Sequence, residues 1–306
     1  MAWIQLLEVP YSKMPYRFDL HGLSDLQLGS RSTIKEILQM RVEEILESPH
    51  DSGTVITGDI EDEDRPSTRA MRKAIFADRE EVIDRDARKH MTWIRNEVVP
   101  LLLPLQKTKY GIVAVLAGHH WTQLSPALNS VQYICHELGR RSGRRVPYVG
   151  EMSAFLDLRF KLVRKGPLPQ TVRRVVHLQH GVGAGQARGS ALRKLSKASN
   201  DFIADCYIRG HDCQVEAAKF SQLYPKESRG ISSPGLGAKK IAVMNLGSAT
   251  QGYEITRGRP AYPEMGMMTP TAMDWGSLKF RLRWSRFWEE DIGKAARPTA
   301  DVRIEI

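Results

Sequence analysis

Five apolar segments of strand length are each followed at once by side chains that can bind a metal ion. These side chains belong, in chain order, to Asp25, Gln27, Asp59, His119, His120, His180, His211 and Cys213. Carboxylate, imidazole and thiolate groups that converge from separate loops are what a divalent metal site requires. Glycine stands directly before Asp59, His119 and His211, where it permits a tight turn close to a ligand. The sequence therefore predicts a metal centre.

The elements that must position these side chains are strands separated by helices. Segments such as GTVITGD, GIVAVLAG and VRRVVHLQHG are short and rich in β-branched residues, whereas STIKEILQMRVEEILES and ALNSVQYICHELGRR have helical periodicity. This alternation favours an α/β layered fold. Because ligands bind beyond the carboxyl ends of strands in such sheets, the candidate metal ligands are expected to meet at one edge. Nearer the end of the chain, SLKFRLRW alternates apolar and cationic residues and predicts a half-buried strand.

Length and composition limit the classes of protein to consider. The chain has 306 residues, of which 42% are hydrophobic, so it can bury a sizeable core. We expect one domain over residues 1–285 and a loosely structured tail over 286–306. No segment has the roughly 18 consecutive apolar residues of a membrane-spanning helix, and the first residues do not form a signal peptide. The three cysteines, Cys135, Cys206 and Cys213, make a disulfide framework a poor fit, and a cytoplasmic location is the expectation.

Positive charge is concentrated in the middle of the chain. The net charge is +10, and the segment from Arg140 to Lys197 contains fourteen lysines and arginines against two acids, Glu151 and Asp157. Such a block favours a polyanionic partner, nucleic acid first, although a solvated basic face is an equally good interpretation. The cationic residues expected to contact phosphates are Arg140, Arg141, Arg144, Arg145, Arg164, Lys165, Arg173 and Arg174.

The five blocks, taken together, resemble the calcineurin-like metallophosphoesterases. The pattern of that family runs Asp-x-His, Gly-Asp-x-x-Asp, Gly-Asn-His-Asp/Glu, His-Gly and Gly-His-x-His, and blocks similar to these follow in the same order over residues 23–213. The segment MNLGS at 244–248 is similar to the Asn-x-Gly-Ser turn that often follows the last block. The resemblance implies a layered sandwich of two mixed β-sheets flanked by helices, with the metal site at the strand carboxyl ends.

Several positions depart from the family pattern. Gln27 stands where the family has a histidine ligand, and Cys213 stands where it has the last histidine. His119 takes the place of the metal-binding asparagine, and Trp121 replaces the acid that follows. Carried over by position, one metal would be held by Asp25, Gln27, Asp59 and Cys213. The other would be held by Asp59, His119, His180 and His211. The second set, one carboxylate and three imidazoles, suits zinc, manganese or iron, whereas the first is chemically mixed.

The chemistry that the resemblance implies is hydrolysis of a phosphate ester by metal-activated water. One or two divalent transition metal ions would acidify the water and hold the phosphoryl oxygens. His120 falls where the family has its phosphate-facing histidine, and it would protonate the leaving oxygen or stabilise the developing charge. The basic block favours a nucleic acid or nucleotide phosphodiester. The alternative function is a catalytically impaired nucleic-acid-binding protein that retains the fold, and Gln27 and Cys213 favour it.

Other interpretations of single residues stay open in the sequence. Asp19 and His21 also form an Asp-x-His pair, but they precede the strand end, so Asp25 is preferred. Cys213 fits a metal ligand and an inert buried thiol about equally well. His177 is expected to pack or lie on the surface, because it faces the opposite side of an extended strand from His180.

Overall fold

The computed structural model describes most of the chain as strands and helices. The described residues are 3–30, 33–62, 84–163, 170–181, 190–212, 215–226, 235–249, 275–289 and 293–305. The strands are β1 (Trp3–Tyr11), β2 (Tyr16–Leu23), β3 (Asp51–Ile56), β4 (Gly111–Val115), β5 (Gln123–Ser125), β6 (Leu128–Asn129), β7 (Ser153–Leu162), β8 (Gln170–Gln179), β9 (Cys206–Arg209), β10 (Glu216–Lys226), β11 (Gly235–Asn245), β12 (Ser277–Glu289) and β13 (Gly293–Glu305). The α-helices are α1 (Lys35–Leu46), α2 (Asp84–Trp93), α3 (Val99–Leu102), α4 (Ser130–Ser142) and α5 (Ser190–Asp201).

Two mixed sheets form the body of the molecule. Six strands lie in the order β1-β7-β8-β9-β11-β10, and five lie in the order β13-β12-β2-β3-β4. Within the first sheet, β8, β9 and β11 are parallel neighbours, and within the second β2, β3 and β4 are parallel. A short hairpin of β5 and β6 stands apart. The two sets of parallel strands are the elements that end in the predicted metal ligands.

The sheets pack face to face through aromatic and aliphatic side chains. Phe18 of β2 and Phe280 of β12 lie with their ring centroids 5.8 and 5.7 Å from the ring of Phe160, which belongs to β7 of the other sheet. All three are at most 1% exposed. Separations of this size are those that aromatic pairs prefer, and they place the core between the layers. The predicted fold class, a sandwich of two mixed sheets flanked by helices, is confirmed.

Helix α4 is fixed at both ends by local sequence signals. The side chain of Asn129 accepts a hydrogen bond from the amide of Gln132, whose side chain accepts one from the amide of Asn129. Gly143 ends the helix in the left-handed conformation that favours glycine. Among the described residues, no helix has the length and apolar character needed to cross a membrane.

The end of the chain differs from the expectation of a loosely structured tail over 286–306. Residues Gly293–Glu305 form β13, which pairs antiparallel with β12 along its whole length. The segment has few apolar residues and includes Pro298. However, β13 is the edge strand of its sheet, where a proline needs no ladder partner on its outer side.

Candidate metal centre

The predicted ligands of one metal come together from both sheets. Asp59 follows β3 and His119 follows β4 of the five-stranded sheet, while His180 and His211 follow β8 and β9 of the six-stranded sheet. One ligand atom from each of these four residues lies within 4.8 Å of all the others. The site therefore lies where the carboxyl ends of the two parallel strand sets meet, as the sequence predicted.

The three imidazoles form a compact cluster. The ring of His119 lies 4.9 Å from that of His180 and 4.7 Å from that of His211, and the last two rings are 5.1 Å apart. The rings are inclined by 65–67° to one another, so no pair is stacked. His180 is fully buried, whereas His119 reaches solvent. Imidazole edges that point toward a shared centre can present their nitrogen lone pairs to one cation.

Asp59 is held by the backbone of the loop that carries His119 and His120. Its Oδ1 accepts hydrogen bonds from the amides of His119 (2.6 Å) and His120 (2.9 Å). Its Oδ2 lies 3.0 Å from Nε2 of His180. Burial by itself raises the pKa of Asp59, but the charges of His180 and His120 and these hydrogen bonds outweigh it and hold the pKa below its usual range. Asp59 is therefore a fixed carboxylate at the centre of the cluster.

His180 is oriented by a backbone carbonyl. Its Nδ1 lies 2.8 Å from the carbonyl oxygen of Thr57, which assigns the proton to Nδ1 and turns Nε2 toward Asp59. Nε2 is buried and makes no hydrogen bond of acceptable geometry among the described residues. Burial lowers the pKa of His180, but the charges of Asp59 and Asp25 raise it overall. A nitrogen lone pair beside a carboxylate oxygen is stabilised only by a proton or a cation between them.

Asp25 lies next to this cluster and has one oxygen without a partner. Its Oδ2 accepts hydrogen bonds from the hydroxyl of Ser24 (2.5 Å) and the amide of His211 (2.8 Å). Its Oδ1 is buried and has no hydrogen-bond partner in the described part of the chain. Burial, with the charge of Asp59 acting in the same direction, raises the pKa of Asp25 to about 6. An unpartnered buried carboxylate oxygen beside a second carboxylate is the kind of group that a cation stabilises.

The other predicted ligands of the mixed site have different outcomes. Gln27 is buried in the loop after β2, and its backbone amide donates a hydrogen bond to the backbone carbonyl of Asp59 at 2.9 Å. Asp25 and Gln27 are not among the four residues whose ligand atoms lie within 4.8 Å of one another. Cys213 lies outside the described residues. The chain therefore brings together the four predicted ligands of one metal and places Asp25 and Gln27 beside them.

His120 lies at the edge of the cluster with an acid on each side. Its Nδ1 is 3.0 Å from Oδ1 of Asp62, and its Nε2 is 3.8 Å from Oδ2 of Asp59. The ring is partly exposed, in contrast to the buried Asp59. The two carboxylates therefore flank the ring of His120, with Asp62 beside Nδ1 and Asp59 on the side of Nε2.

Asp19 and His21, the other Asp-x-His pair, make contacts away from the metal centre. Asp19 accepts a hydrogen bond from Ser48, and Nδ1 of His21 lies 2.8 Å from the hydroxyl of Ser277. Both are buried within β2 rather than beyond its end. His177 packs as expected: it is 1% exposed, and its ring stacks on that of Phe202.

Backbone strain coincides with the site. Asp25, Gln27, Asp59 and His211 have φ values of 50°, 43°, 52° and 78°, and they are the non-glycine residues with positive φ in the described part of the chain. L-residues enter this left-handed region at a cost of roughly 1–3 kcal/mol each when the surroundings hold them there. All four are residues that the sequence predicted as metal ligands.

Two glycines allow the loops to approach one another. A Cβ atom on Gly58 would lie 2.6 Å from Nδ1 of His180 and 2.8 Å from the Cα of Gly118. A Cβ atom on Gly118 would overlap Oδ1 of Asp59 and lie 2.5 Å from its amide nitrogen. Only glycine therefore fits at either position, as the turns predicted from sequence require.

A buried contact between Glu61 and His90, which the sequence analysis did not identify, supports the loop on the side away from the metal ligands. Glu61 is 2% exposed, and its Oε2 lies 2.8 Å from Nε2 of His90. Its Oε1 accepts hydrogen bonds from the amide of Thr122 and the hydroxyl of Ser130. The only sequence signal was the acidic run DIEDED, which is also typical of a solvated turn. Glu61 anchors the segment that follows His119 and His120.

A divalent transition metal fits these residues. One carboxylate and three imidazoles form a donor set suited to zinc, manganese or iron. Within the described ranges, the buried Nε2 of His180 and Oδ1 of Asp25 have no hydrogen-bond partner, and a cation would supply one. The structure is thus consistent with one complete ligand set and an adjacent partial one.

Comparison with known proteins gives similarity to solved structures. No family model matches the chain, and no curated protein matches it. Vps29 from Entamoeba histolytica, complexed with Zn²⁺, is 12% identical with a TM-score of 0.34, covering 93% of this chain and 98% of that one. A predicted phosphoesterase from Streptococcus pneumoniae TIGR4 is 13% identical with a TM-score of 0.32, covering 94% and 98%. Vps29 from Chaetomium thermophilum is 9% identical with a TM-score of 0.33, covering 95% and 97%. Because each TM-score is below 0.5, we draw nothing about activity from these similarities.

Proposed function

We propose that this protein is a metal-dependent phosphoesterase that hydrolyses a phosphodiester, with nucleic acid or a nucleotide as the substrate class. One observation carries the proposal: Asp59, His119, His180 and His211 converge from four strands of two sheets. A structural metal site needs no further imidazole at its edge, yet His120 lies there, with its Nδ1 3.0 Å from Oδ1 of Asp62. The arrangement suits a metal centre with an adjacent proton donor.

Each residue of the site would have a separate role in hydrolysis. A bound transition metal supplies Lewis acidity and lowers the pKa of bound water. Asp59, His119, His180 and His211 would hold it, and Asp25 would add a carboxylate for a second ion. Nε2 of His120 faces the centre, so it would donate a proton to the leaving oxygen as the P–O bond breaks. Asp62 would orient that ring throughout the reaction.

The test separates metal binding from catalysis. His120→Ala keeps the backbone amide that holds Asp59, so the variant should retain the metal content of the wild type while kcat falls by about 10²–10⁴-fold. His136→Ala is the matched control, because His136 is exposed on α4. Metal content and hydrolysis of methyl p-nitrophenyl phosphate would be measured with manganese, zinc, nickel and magnesium. Wild-type protein that binds metal but remains inert on this ester and on single-stranded DNA would refute the proposal.

Several described cations of the basic block make contacts within the protein. The Arg144 guanidinium donates to the carbonyls of Gln106, Thr108 and Lys109, so it holds a turn together. Arg173 pairs with Asp157 at 2.8 Å. Arg140 and Arg141 lie in the last turn of α4. Helix α4 begins at Ser130, beside Glu61, and its 13 residues would carry this end about 20 Å from that point. Arg164 and Lys165 lie outside the described residues.

A second candidate function is nucleic-acid binding without catalysis, and a cationic cavity favours it. The cavity measures about 710 Å³ and lies between β8–β11 and β12–β13. Its cationic lining residues are Arg174, Lys219, Lys239, Lys240, Arg283 and Arg303. Two acids, Asp205 and Asp301, offset them in part. Asp205 precedes β9 and His211 follows it, so the cavity and the metal centre lie at opposite ends of this strand.

Salt-dependent binding tests this second function. Lys240 and Arg303 are exposed, so Lys240→Gln combined with Arg303→Gln should leave the fold intact. If the cavity contacts phosphates, the double variant should lower the slope of log K against log salt by up to about 1.8 for duplex DNA. Undetectable DNA and RNA binding by the wild type at low salt would remove this function.

A further inference from the structure

A second cavity borders the loop that carries His119 and His120. It measures about 770 Å³, within the size range of small-molecule binding sites. Trp121 lies in its wall, one residue and about 3.8 Å along the chain from His120. We call it the Trp121 cavity. Its other aromatic and amide lining residues are Gln123, Asn129, Gln132, Tyr148 and Phe202.

The Trp121 cavity and the metal centre share a backbone wall. The carbonyl of Glu151 accepts a hydrogen bond from the amide of Gly118, and the carbonyl of Met152 accepts one from the amide of His180, both at 2.8 Å. Glu151 and Met152 both line the cavity. A ligand in the cavity therefore adjoins the loops that carry two of the metal-ligand imidazoles.

The lining has the chemistry of a site for a flat, uncharged, polar ring. Trp121 and Tyr148 contribute aromatic rings to the lining, and stacking of a base on such a ring is worth about 1–3 kcal/mol. Within the described part of the chain, no lysine or arginine lines the cavity, and the exposed carboxylate of Glu151 does. A phosphate group would be repelled here. The cavity suits the uncharged part of a ligand whose phosphate lies elsewhere.

Hydrogen bonds within the lining occupy some of its polar atoms. Oε1 of Gln132 accepts from the amide of Asn129, and the Asn129 side-chain nitrogen donates to the hydroxyl of Tyr148 at 3.3 Å. Nε2 of Gln123 donates to the carbonyl of Ser125. These contacts use the oxygen of Gln132 and the nitrogen of Gln123. The side-chain nitrogen of Gln132 and the side-chain oxygen of Gln123 take no part in these contacts, and a donor together with an acceptor matches the mixed edge of a nucleobase.

We propose that the Trp121 cavity binds the nucleobase of a nucleotide substrate whose phosphodiester lies at the metal centre. This inference rests on the proposed function and narrows its substrate class. A base stacked and paired inside a duplex cannot enter a cavity, so the substrate is a single-stranded end or a nucleotide diester. Trp121, one residue from His120 in the chain, is the stacking residue.

Two esters that share a leaving group test the inference. Thymidine 5′-(p-nitrophenyl phosphate) carries a base, and methyl p-nitrophenyl phosphate does not. In the wild type, kcat/KM should favour the thymidine ester, and Trp121→Ala should reduce that preference by about 5- to 150-fold, mainly through KM. Trp121→Phe should restore most of it, because it keeps an aromatic face. Phe202→Ala serves as a second lining variant if Trp121→Ala does not fold.

The outcomes separate this inference from the proposed function. If the ratio of kcat/KM for the two esters is the same in the wild type and in Trp121→Ala, the nucleobase site is refuted, but the proposed hydrolase activity is not. If neither ester is hydrolysed, the proposed function fails, and equilibrium dialysis of adenosine monophosphate against the metal-loaded protein tests the cavity alone. In that assay, equal binding by wild type and Trp121→Ala overturns the inference, and weaker binding by Trp121→Ala supports it.

Discussion

A metal ion held by Asp59, His119, His180 and His211 would join the two sheets, and this predicts a specific thermal stabilisation. Two ligands follow strands of one sheet and two follow strands of the other, so the complete set exists only while the sheets are packed together. A ligand that binds only the folded state stabilises it by about 2.7 kcal/mol when its free concentration is 100 times Kd. The metal should therefore act on global unfolding.

The expected change in melting temperature follows from chain length. Unfolding entropy of about 2.1 cal/mol/K per residue gives about 0.64 kcal/mol/K for the 306 residues. A stabilisation of about 2.7 kcal/mol then raises Tm by about 4 °C, and each further tenfold increase in free metal adds about 2 °C. Differential scanning calorimetry over a metal-buffered series, with Kd measured separately, would provide both numbers.

Ligand deletion provides the comparison. His211→Ala removes one of the four predicted ligands, so its Tm should respond little to the same metal concentrations. The variant keeps the backbone amide that donates to Asp25. His136→Ala should respond as the wild type does. An equal shift in wild type and His211→Ala would place the metal elsewhere and refute this account of the site. Metal that binds the wild type without any shift in Tm would contradict ligation across the sheets.

Two further predictions concern buried groups. His177 is buried beside Phe202, and burial lowers its pKa from 6.5 to about 4. Below pH 6.5 the unfolded chain therefore binds a proton at His177 that the folded chain does not bind. This protonation of the unfolded chain lowers the free energy of unfolding as the pH falls from 6.5 toward 4. Urea unfolding at pH 7 and pH 5 measures this loss as the difference between the two free energies of unfolding. In His177→Phe that difference should be smaller than in the wild type by about 2 kcal/mol, and an unchanged difference would contradict the argument. Gly118→Ala should abolish metal binding, measured by calorimetric titration, because its Cβ would displace Asp59; undiminished affinity would show that the loop moves freely.

The convergence of these side chains could be predicted from sequence because its signal is local. An apolar run, a glycine and then an aspartate or histidine describe a buried strand, a tight turn and a side chain at the sheet edge. Asp59, His119 and His211 all follow this pattern, and the structure brings them together. The preference for Asp25 over Asp19 rested on the same rule, since only Asp25 lies beyond the end of β2.

The supporting contacts could not be predicted, because they join residues far apart in the chain. The Glu61–His90 pair spans 29 positions, and the Trp275 indole donates to the Ser24 carbonyl across 251. β1 carries no motif, and its place beside β7 is set by long-range pairing. β13 was not predicted for a similar reason: its own sequence has no clear strand pattern, and it forms a strand by pairing with β12.

The left-handed backbone at four site positions has a consequence for protein engineering. Glycine at residue 25, 27, 59 or 211 would relax a conformation that costs an L-residue roughly 1–3 kcal/mol. A library of variants screened only for heat tolerance would therefore be enriched in glycine at these positions. Glycine at residue 59 or 211 would also remove a predicted metal ligand, so any such screen has to include metal retention as a second criterion.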